Sequence, residues 1–228
     1  MRINWLLESI VSATRKGEHA AVTQSDSNNR VFWSDSSSGF FGAALATCSA
    51  PMEKTSAGNP PVIRAASAAD GDQIATIYNY YVAGTHVTFE DAVVYDDEMS
   101  RRIAEVQADE LPWLVAEDNG KVIGYAYASR WKRRFGYRFS VEITVYLAAG
   151  GGGHGVGSKL YEELFSILKA RKIHAVIGGI ALPNDASVAL HEKFGMKKVA
   201  SFAEVGRKFG KWIDVAYWEL LLDDVAND

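Results

Sequence analysis

The first part of the sequence whose residue types and spacing point to chemistry is a glycine-rich segment, residues 150–157 (GGGGHGVG). It lies between an apolar stretch that predicts a β-strand, 138–147, and an amphipathic stretch from Leu160 to Leu168 that predicts a helix. The backbone N–H groups of such a loop and of the following helix N-terminus attract anions. The segment therefore predicts a phosphate or pyrophosphate site.

Three other interpretations of the glycine segment compete with the phosphate site. A Walker loop requires Lys before Ser or Thr, and here Ser158 precedes Lys159, so that motif is excluded. A dinucleotide fingerprint fits Gly150, Gly152 and Gly155, but so many glycines match it by chance, and the next apolar stretch, 173–180, ends without the acidic residue that a ribose needs. A flexible linker also stays open, although an amphipathic helix begins at once.

A carboxylate, Glu142, stands in the middle of the predicted strand 138–147, with Ser140, Thr144 and Tyr146 on the same face. This face either contacts water or carries a functional acid. A reaction in which a substrate group must lose a proton needs a base. A partly buried Glu with a raised pKa suits that task.

His191 lies in a short predicted helix, 184–194. It is either a packed or surface residue or an acid or base. Asn184, at the start of the same stretch, is a good helix N-cap and also a candidate ligand contact.

Residues 130–138 (RWKRRFGYR) hold five basic residues among nine, interleaved with aromatic ones. A solvated hairpin tip and a nucleic-acid contact are the alternatives that the residues themselves offer. The chain as a whole has a net charge of −4, which argues against nucleic acid as the main partner.

The elements that must position these residues alternate between strand and helix patterns, which predicts an α/β domain from residue 62 to residue 228. Residues 1–61, rich in serine and without periodicity, predict a disordered low-complexity extension, and Met52 is a second candidate start. The predicted strands cover 62–66, 113–117, 122–128, 138–147, 173–180, 196–205 and 212–221, and the predicted helices follow Ser67 and cover 97–108, the stretch from Leu160, and 184–194.

The cellular setting follows from what the composition excludes. The lone Cys48 cannot form an intramolecular disulfide, so we expect a reducing, cytoplasmic compartment. No apolar run reaches the roughly 18 residues of a membrane span, so we expect no membrane partner. No cluster of His, Asp and Glu has metal-ligand spacing, so we expect no metal.

From residue 62 to residue 221 the sequence resembles the GNAT superfamily of acyl-CoA-dependent N-acetyltransferases, and most closely its phosphinothricin and methionine-sulfoximine branch. In the superfamily loop motif [QR]-x-x-G-x-[GA], Gly152 stands at the Gln/Arg position. Six blocks of the branch recur in order: TFE (88–90), PWLVAE (112–117), WKxR (131–134), VExTVY (141–146), LPNDxSVxLHE (182–192) and GxKxGxWxDVxxW (206–218).

The resemblance implies a GNAT fold, with a mixed, mostly antiparallel sheet of about six to seven strands and about four helices. It also implies acetyl-CoA as co-substrate, a homodimer, Glu142 as general base and His191 as a second catalytic candidate. The implied acetyl-CoA contacts are Val145, Tyr146, Leu147, Gly153, His154, Gly155, Val156, Gly157, Ser158, Asn184 and Ser187, and the implied substrate contacts are Phe89, Arg134, Tyr137, Tyr146 and Lys208.

The expected activity is therefore transfer of acetyl to the α-amino group of a small amino acid or amino-acid analogue. Two alternatives stay open. One is acetylation of protein or peptide amines, and the other is a weakly catalytic acyl-CoA-binding module, which Gly152 at the Gln/Arg position motivates.

Overall fold

A computed structural model describes residues 60–222 as seven β-strands, four α-helices and two short 3₁₀ helices. The expected α/β class and the expected numbers of strands and helices are confirmed. The predicted extension, up to residue 59, lies outside the described residues. In chain order the elements are β1 (Val62–Ala65), a 3₁₀ helix (Ala68–Asp70), α1 (Gly71–Gly84), α2 (Asp96–Ala108), β2 (Trp113–Asp118), β3 (Lys121–Arg130), a 3₁₀ helix (Phe135–Tyr137), β4 (Ser140–Leu147), α3 (Val156–Ala170), β5 (Ala175–Ala181), α4 (Asp185–Lys193), β6 (Lys197–Lys208) and β7 (Lys211–Leu221).

The strands form one sheet in the order β1-β2-β3-β4-β5-β7-β6. Every neighbouring pair is antiparallel except β4 and β5, which are parallel and are joined through α3. A parallel pair needs such a crossover, because the chain must return to the starting end of the sheet.

The parallel pair separates along its length. The β4–β5 ladder holds three residue pairs, from Ser140 with Ala175 to Glu142 with Ile177. Both strands continue beyond it, β4 to Leu147 and β5 to Ala181. The two strands therefore diverge after Glu142, and a gap opens inside the sheet.

Apolar clusters cover both faces of the sheet. On one face, α3 packs Leu160, Leu164 and Leu168 against β2, β3 and β4, and all three are fully buried. On the other face, α1 and α2 pack Ile74 and Ile103 against β2 and β3. Because side chains alternate between the two faces of a strand, a slip of one residue would move each apolar side chain of the central strands into the opposite cluster, so this packing fixes the register.

An ion pair anchors the entry to α1. The Arg64 guanidinium on β1 donates to Asp70 Oδ1 at 2.7 Å and to Glu117 Oε2 on β2 at 2.8 Å. Asp70 also accepts the Ser67 backbone N–H at 2.7 Å, which is part of a capping box formed by these two residues. The hydrogen bond from Arg64 lowers the pKa of the buried Asp70 carboxyl to about 2, against the opposing effect of burial.

Two predicted element boundaries were wrong. Residues 130–138 are not a simple hairpin tip, since they contain the 3₁₀ helix Phe135–Tyr137, and β4 begins at Ser140 rather than at Arg138. The Arg138 N–H donates to the Phe135 carbonyl at 3.1 Å, and the Arg138 guanidinium stacks on the rings of Phe135 and Phe139, each at 4.2 Å. Likewise β5 begins at Ala175, because Ile173 still donates to the Leu168 carbonyl at the end of α3.

Among residues 60–222, no helix combines the length and the apolar character that crossing a bilayer requires.

Candidate active site

The gap between β4 and β5 is the floor of a cleft of about 450 Å³. The cleft runs from the glycine segment, through the gap, to the start of α4. Of the sequence-predicted residues, six line it: Val145, Tyr146, Leu147, Asn184, Ser187 and His191. The outer end of β4 is held in place by α1, because Tyr81 Oη donates to the Leu147 carbonyl at 2.7 Å.

The glycine segment is shaped for close approach of a ligand at the mouth of the cleft. Gly150, Gly153 and Gly155 have positive φ angles of 77°, 83° and 76°, a region that side chains disfavour. Gly155 is the N-cap of α3, so the segment ends at the positive end of the helix dipole. A β-carbon on Gly152, Gly153 or Gly155 would meet no atom within 4 Å, so the loop surface is open.

The other predicted residues of this segment contribute in different ways. His154 is exposed, while Val156 and Gly157 are buried in the first turn of α3. A β-carbon on Gly157 would lie 3.2 Å from Leu190 Cδ2, so the missing side chain allows α3 to pack closely on α4. The Ser158 hydroxyl accepts a hydrogen bond from Lys193 Nζ at 2.7 Å.

The Glu142 carboxylate lies at the point where β4 and β5 part. A β-carbon on Gly179 of β5 would be 3.0 Å from Glu142 Oε1, and Gly179 itself lines the cleft. Burial raises the pKa of Glu142, and the positive charge of Lys132 opposes that rise. A half-buried carboxylate with a raised pKa, next to a cleft, has the properties of a general base.

His191 is held in one orientation under the cleft. Its Nδ1 donates to the Ser187 carbonyl at 2.7 Å, and its Nε2 accepts from the Tyr161 hydroxyl at 3.2 Å. The residue is 3% exposed, and this burial lowers the pKa of His191 below its usual range, in opposition to the hydrogen bond with Ser187. The imidazole is therefore neutral, with its proton on Nδ1.

Asn184 caps α4, with its Oδ1 accepting the Ser187 N–H at 3.2 Å. Its side chain also faces the cleft, so the cap and a ligand contact are compatible.

Arg134 and Tyr137 lie in the exposed segment between β3 and β4 and do not line the cleft. Arg134 precedes the 3₁₀ helix, and its carbonyl accepts the Tyr137 N–H at 2.9 Å. The structure thus leaves both residues outside the cleft.

Phe89 and Lys208 line a different cavity, at the tip of the β6–β7 hairpin. Lys208 is 6% exposed, and its Nζ donates to the Thr88 carbonyl at 2.8 Å. The Phe89 ring packs directly against Gly206, where any side chain would collide with it. These contacts join the hairpin to the segment after α1, so within this chain the two residues support the site region rather than form the cleft.

Four residues near the cleft were not singled out from the sequence: Tyr161, Gly179, Tyr217 and Trp131. Tyr161 belongs to the apolar stripe of α3, and its hydroxyl inside that stripe was a signal that a buried polar partner exists. Gly179 is the one exposed position in the otherwise buried strand β5, a pattern that only the structure reveals.

Within residues 60–222, no three His, Cys, Asp or Glu side chains converge in a way that could hold a metal ion.

An open glycine loop at a helix N-terminus suits a pyrophosphate, a gap between two parallel strands suits a long polar arm, and a base at the inner end suits an amine. Together the fold and this arrangement define the class of acyl-CoA-dependent N-acyltransferases. The acetyltransferase (GNAT) domain profile matches residues 63–217, and the chain belongs to this family.

Known relatives agree with this family. The chain is 42% identical over 147 residues to a phosphinothricin N-acetyltransferase of Streptomyces coelicolor, covering 63% of this chain and 85% of the relative. It is 37% identical over 167 residues to an L-methionine sulfoximine/L-methionine sulfone acetyltransferase of Salmonella typhimurium, covering 72% and 96%. A solved phosphinothricin acetyltransferase from Sinorhizobium meliloti in complex with acetyl-CoA superposes with a TM-score of 0.69 at 34% identity, covering 72% of this chain and 89% of that chain.

Proposed function

We propose that this protein transfers the acetyl group of acetyl-CoA to the α-amino group of a small amino acid or amino-acid analogue of the phosphinothricin or methionine-sulfoximine type. The observation that carries the proposal is the position of Glu142. Its carboxylate lies beside the cleft where β4 and β5 diverge, with a pKa raised by burial. The names of the relatives support the choice of substrate class.

The residues present fit acetyl-CoA. The positive-φ glycines and the N-terminus of α3 offer backbone N–H groups to a pyrophosphate, and no side chain obstructs them. The side chains of Asn184 and Ser187 face the cleft on one side, and the backbone of residues 145–147 on the other. When bound, acetyl-CoA supplies the acetyl group as a thioester.

The protein's own residues then accept the proton of the substrate ammonium and orient the acyl group. Glu142 takes a proton from the substrate ammonium on a carboxylate oxygen, which frees the nitrogen lone pair. Backbone N–H groups in residues 145–147 orient the acyl oxygen, and the surrounding apolar and aromatic side chains exclude water. Transfer is direct, within one complex of both substrates, because both partners reach the same cleft.

His191 is the second catalytic candidate, and its contacts support a role through Tyr161. The neutral imidazole keeps its proton on Nδ1, bonded to Ser187, so it does not face the cleft as an acid. Tyr161, whose hydroxyl donates to His191 Nε2, also lines the cleft.

The substrate end of the site includes Arg134, which we propose grips the α-carboxylate in a bidentate pair. Its support is the exposed basic segment of residues 130–138, close in sequence and space to the start of β4. Tyr137 adds an aromatic wall on the same segment.

A homodimer is part of the proposal. The edge strand β6 and its hairpin expose Val199 (55%), Phe202 (51%), Val205 (61%), Phe209 (62%) and Trp212 (58%). Exposed apolar residues on an unpaired edge are characteristic of a surface that another chain covers. Sedimentation should show a dimer for the full chain, and Val205→Asp should shift it toward monomer, whereas Val93→Asp, at an exposed valine outside the hairpin, should not. A monomeric full chain would contradict this.

The lone Cys48 supports a further part of the proposal, a reducing cytoplasmic setting, where a small amino acid and acetyl-CoA are both available.

The experiment that tests the activity measures release of free CoA from acetyl-CoA across an amine panel. The panel holds phosphinothricin, methionine sulfoximine, methionine sulfone and free amino acids, together with peptides that carry a free N-terminus or an acceptor lysine. Turnover with the small amino acids supports the proposal. Turnover with peptides alone would favour the protein-acetyltransferase alternative, and calorimetric CoA binding with no thiol release would favour the binding module.

A further inference from the structure

The surroundings of Gly179 are unusual for a central strand. In β5 every residue except Gly179 is buried, and Gly179 is exposed. It lies opposite Tyr217 of β7 in the ladder, and a β-carbon there would be 3.0 Å from both Glu142 Oε1 and Tyr217 Cε1. The carboxylate and the Tyr217 ring thus both border the space above the Gly179 Cα, and Gly179 itself lines the cleft.

A second aromatic ring packs against Tyr217. The Trp131 ring lies 5.6 Å from the Tyr217 ring in an edge-on arrangement, and Phe202 supports Tyr217 from behind at 5.9 Å. The Lys132 ammonium sits 4.6 Å above the Trp131 ring. The protein therefore already places one alkylammonium group on this aromatic surface, close enough to Glu142 for its charge to act on the carboxylate.

The chemistry of this cluster suits a primary ammonium ion. Aromatic faces attract cations through the ring quadrupole, and a desolvated carboxylate adds direct charge attraction. A side chain at residue 179 would fill the space between them. Lys132 is exposed, so its ammonium can move to water at little cost when another cation arrives.

We propose that Tyr217 and Trp131, grouped with Glu142 around Gly179, form the subsite that binds the ammonium group of the acceptor before it is deprotonated. The inference rests on the proposed function, because it assigns the acceptor's place in the same site. It adds to that function two binding residues and a requirement for glycine at position 179.

The first experiment places a methyl group in the space above the Gly179 Cα. Gly179→Ala should lower kcat/KM for an amino-acid acceptor at least about tenfold, while CoA affinity by calorimetry stays within about twofold. The matched control is Gly84→Ala at the end of α1, where a β-carbon meets nothing within 4 Å. Equal kcat/KM in the two variants would overturn the inference.

The second arm measures binding without turnover. The probe is the N,N,N-trimethyl derivative of methionine sulfone, which keeps the positive charge but cannot be acetylated, titrated by calorimetry into the CoA complex. Tyr217→Leu should weaken its binding about three- to thirtyfold, the range of a cation–π contact. Tyr217→Phe keeps the ring and should lose less than Tyr217→Leu. Unchanged binding in Tyr217→Leu would overturn the inference, with circular dichroism checking that each variant is folded.

Failure of the inference and failure of the proposed function give different results. If the unmodified protein releases no CoA with any amine of the panel, the proposed function fails. If it turns over amino acids while Gly179→Ala and Tyr217→Leu behave as it does, only the subsite assignment fails.

Discussion

His191 Nδ1 lies 2.7 Å from the carbonyl oxygen of Ser187, one turn earlier in the same helix. Because that nitrogen must carry the proton, Nε2 is left as the acceptor for the Tyr161 hydroxyl. One backbone carbonyl thereby determines the tautomer of the imidazole.

This pair predicts a pH dependence of stability. Burial lowers the pKa of His191 in the folded state, so between its unfolded pKa of about 6.5 and the lower folded value the unfolded chain binds more protons. The free energy of unfolding should therefore fall as the pH drops below about 6.5. Urea unfolding at a series of pH values should show a shallower slope in His191→Gln. The exposed His174→Gln is the control, and an unchanged slope in His191→Gln would contradict the assignment.

Glu142→Gln should lower kcat by about 10²-fold or more, the usual scale for an acid–base residue, while CoA affinity is largely kept. The amide keeps the shape of the side chain but cannot accept the proton. Steady-state kinetics and calorimetry measure the two quantities. Glu162→Gln, at an exposed position of α3, serves as the control, and unchanged kcat in Glu142→Gln would exclude it as the base.

Lys132 provides a second test of the same base. Its positive charge lowers the pKa of Glu142 against the effect of burial. Since the base must be unprotonated, activity falls as the pH drops through that pKa. In Lys132→Gln the pKa of Glu142 in the free enzyme should rise, and the acid limb of the kcat/KM profile should move to higher pH. An unchanged acid limb would contradict an effect of Lys132 on the pKa of Glu142.

Arg134→Ala should raise KM for amino-acid acceptors by about tenfold or more, the effect of losing a bidentate pair with a carboxylate. Amines that lack a carboxylate should show little change. Kinetics with methionine sulfone and with its decarboxylated analogue compare the two. The control is Arg133→Ala, at the exposed neighbouring residue. If Arg134→Ala affects both substrates equally, Arg134 does not bind the carboxylate.

Asp70→Asn should destabilise the fold by about 1–3 kcal/mol, because the buried Arg64 contact and the cap are both weakened. The folded pKa of about 2 lies below the unfolded value of about 3.9, so this contribution is present above pH 4 and is lost as the pH falls toward 2. Chemical denaturation at pH 7 and pH 3 measures it. Asp72→Asn, exposed in α1, should have a smaller effect.

Much of the arrangement could be predicted from local patterns. Strict alternation in β4 assigned Val141 and Ile143 to the core and Glu142 to the opposite face, because side chains on a strand point to alternate sides. The glycine segment could be located because it joins a strand to an amphipathic helix.

The features that depend on contacts between distant segments could not be predicted from the sequence. The gap after Glu142 results from the length of the β4–β5 ladder, which no local pattern records. The exposure of Gly179 depends on Glu142 and Tyr217, which come from two other strands. The burial of Lys208 depends on its contact with the Thr88 carbonyl, which is distant in the chain.

The short ladder has a mechanical consequence. β4 joins β3 through seven residue pairs, and β5 joins β7 through seven, but β4 joins β5 through only three. The sheet thus consists of two parts, β1 to β4 and β5 to β7, joined only by the short β4–β5 ladder. A ligand in the gap would contact both parts, as an additional strand does. Binding of the cofactor would then hold the amino-terminal and carboxy-terminal halves of the domain together. Amide hydrogen exchange in β4 and β5 should therefore be slower when the cofactor is bound.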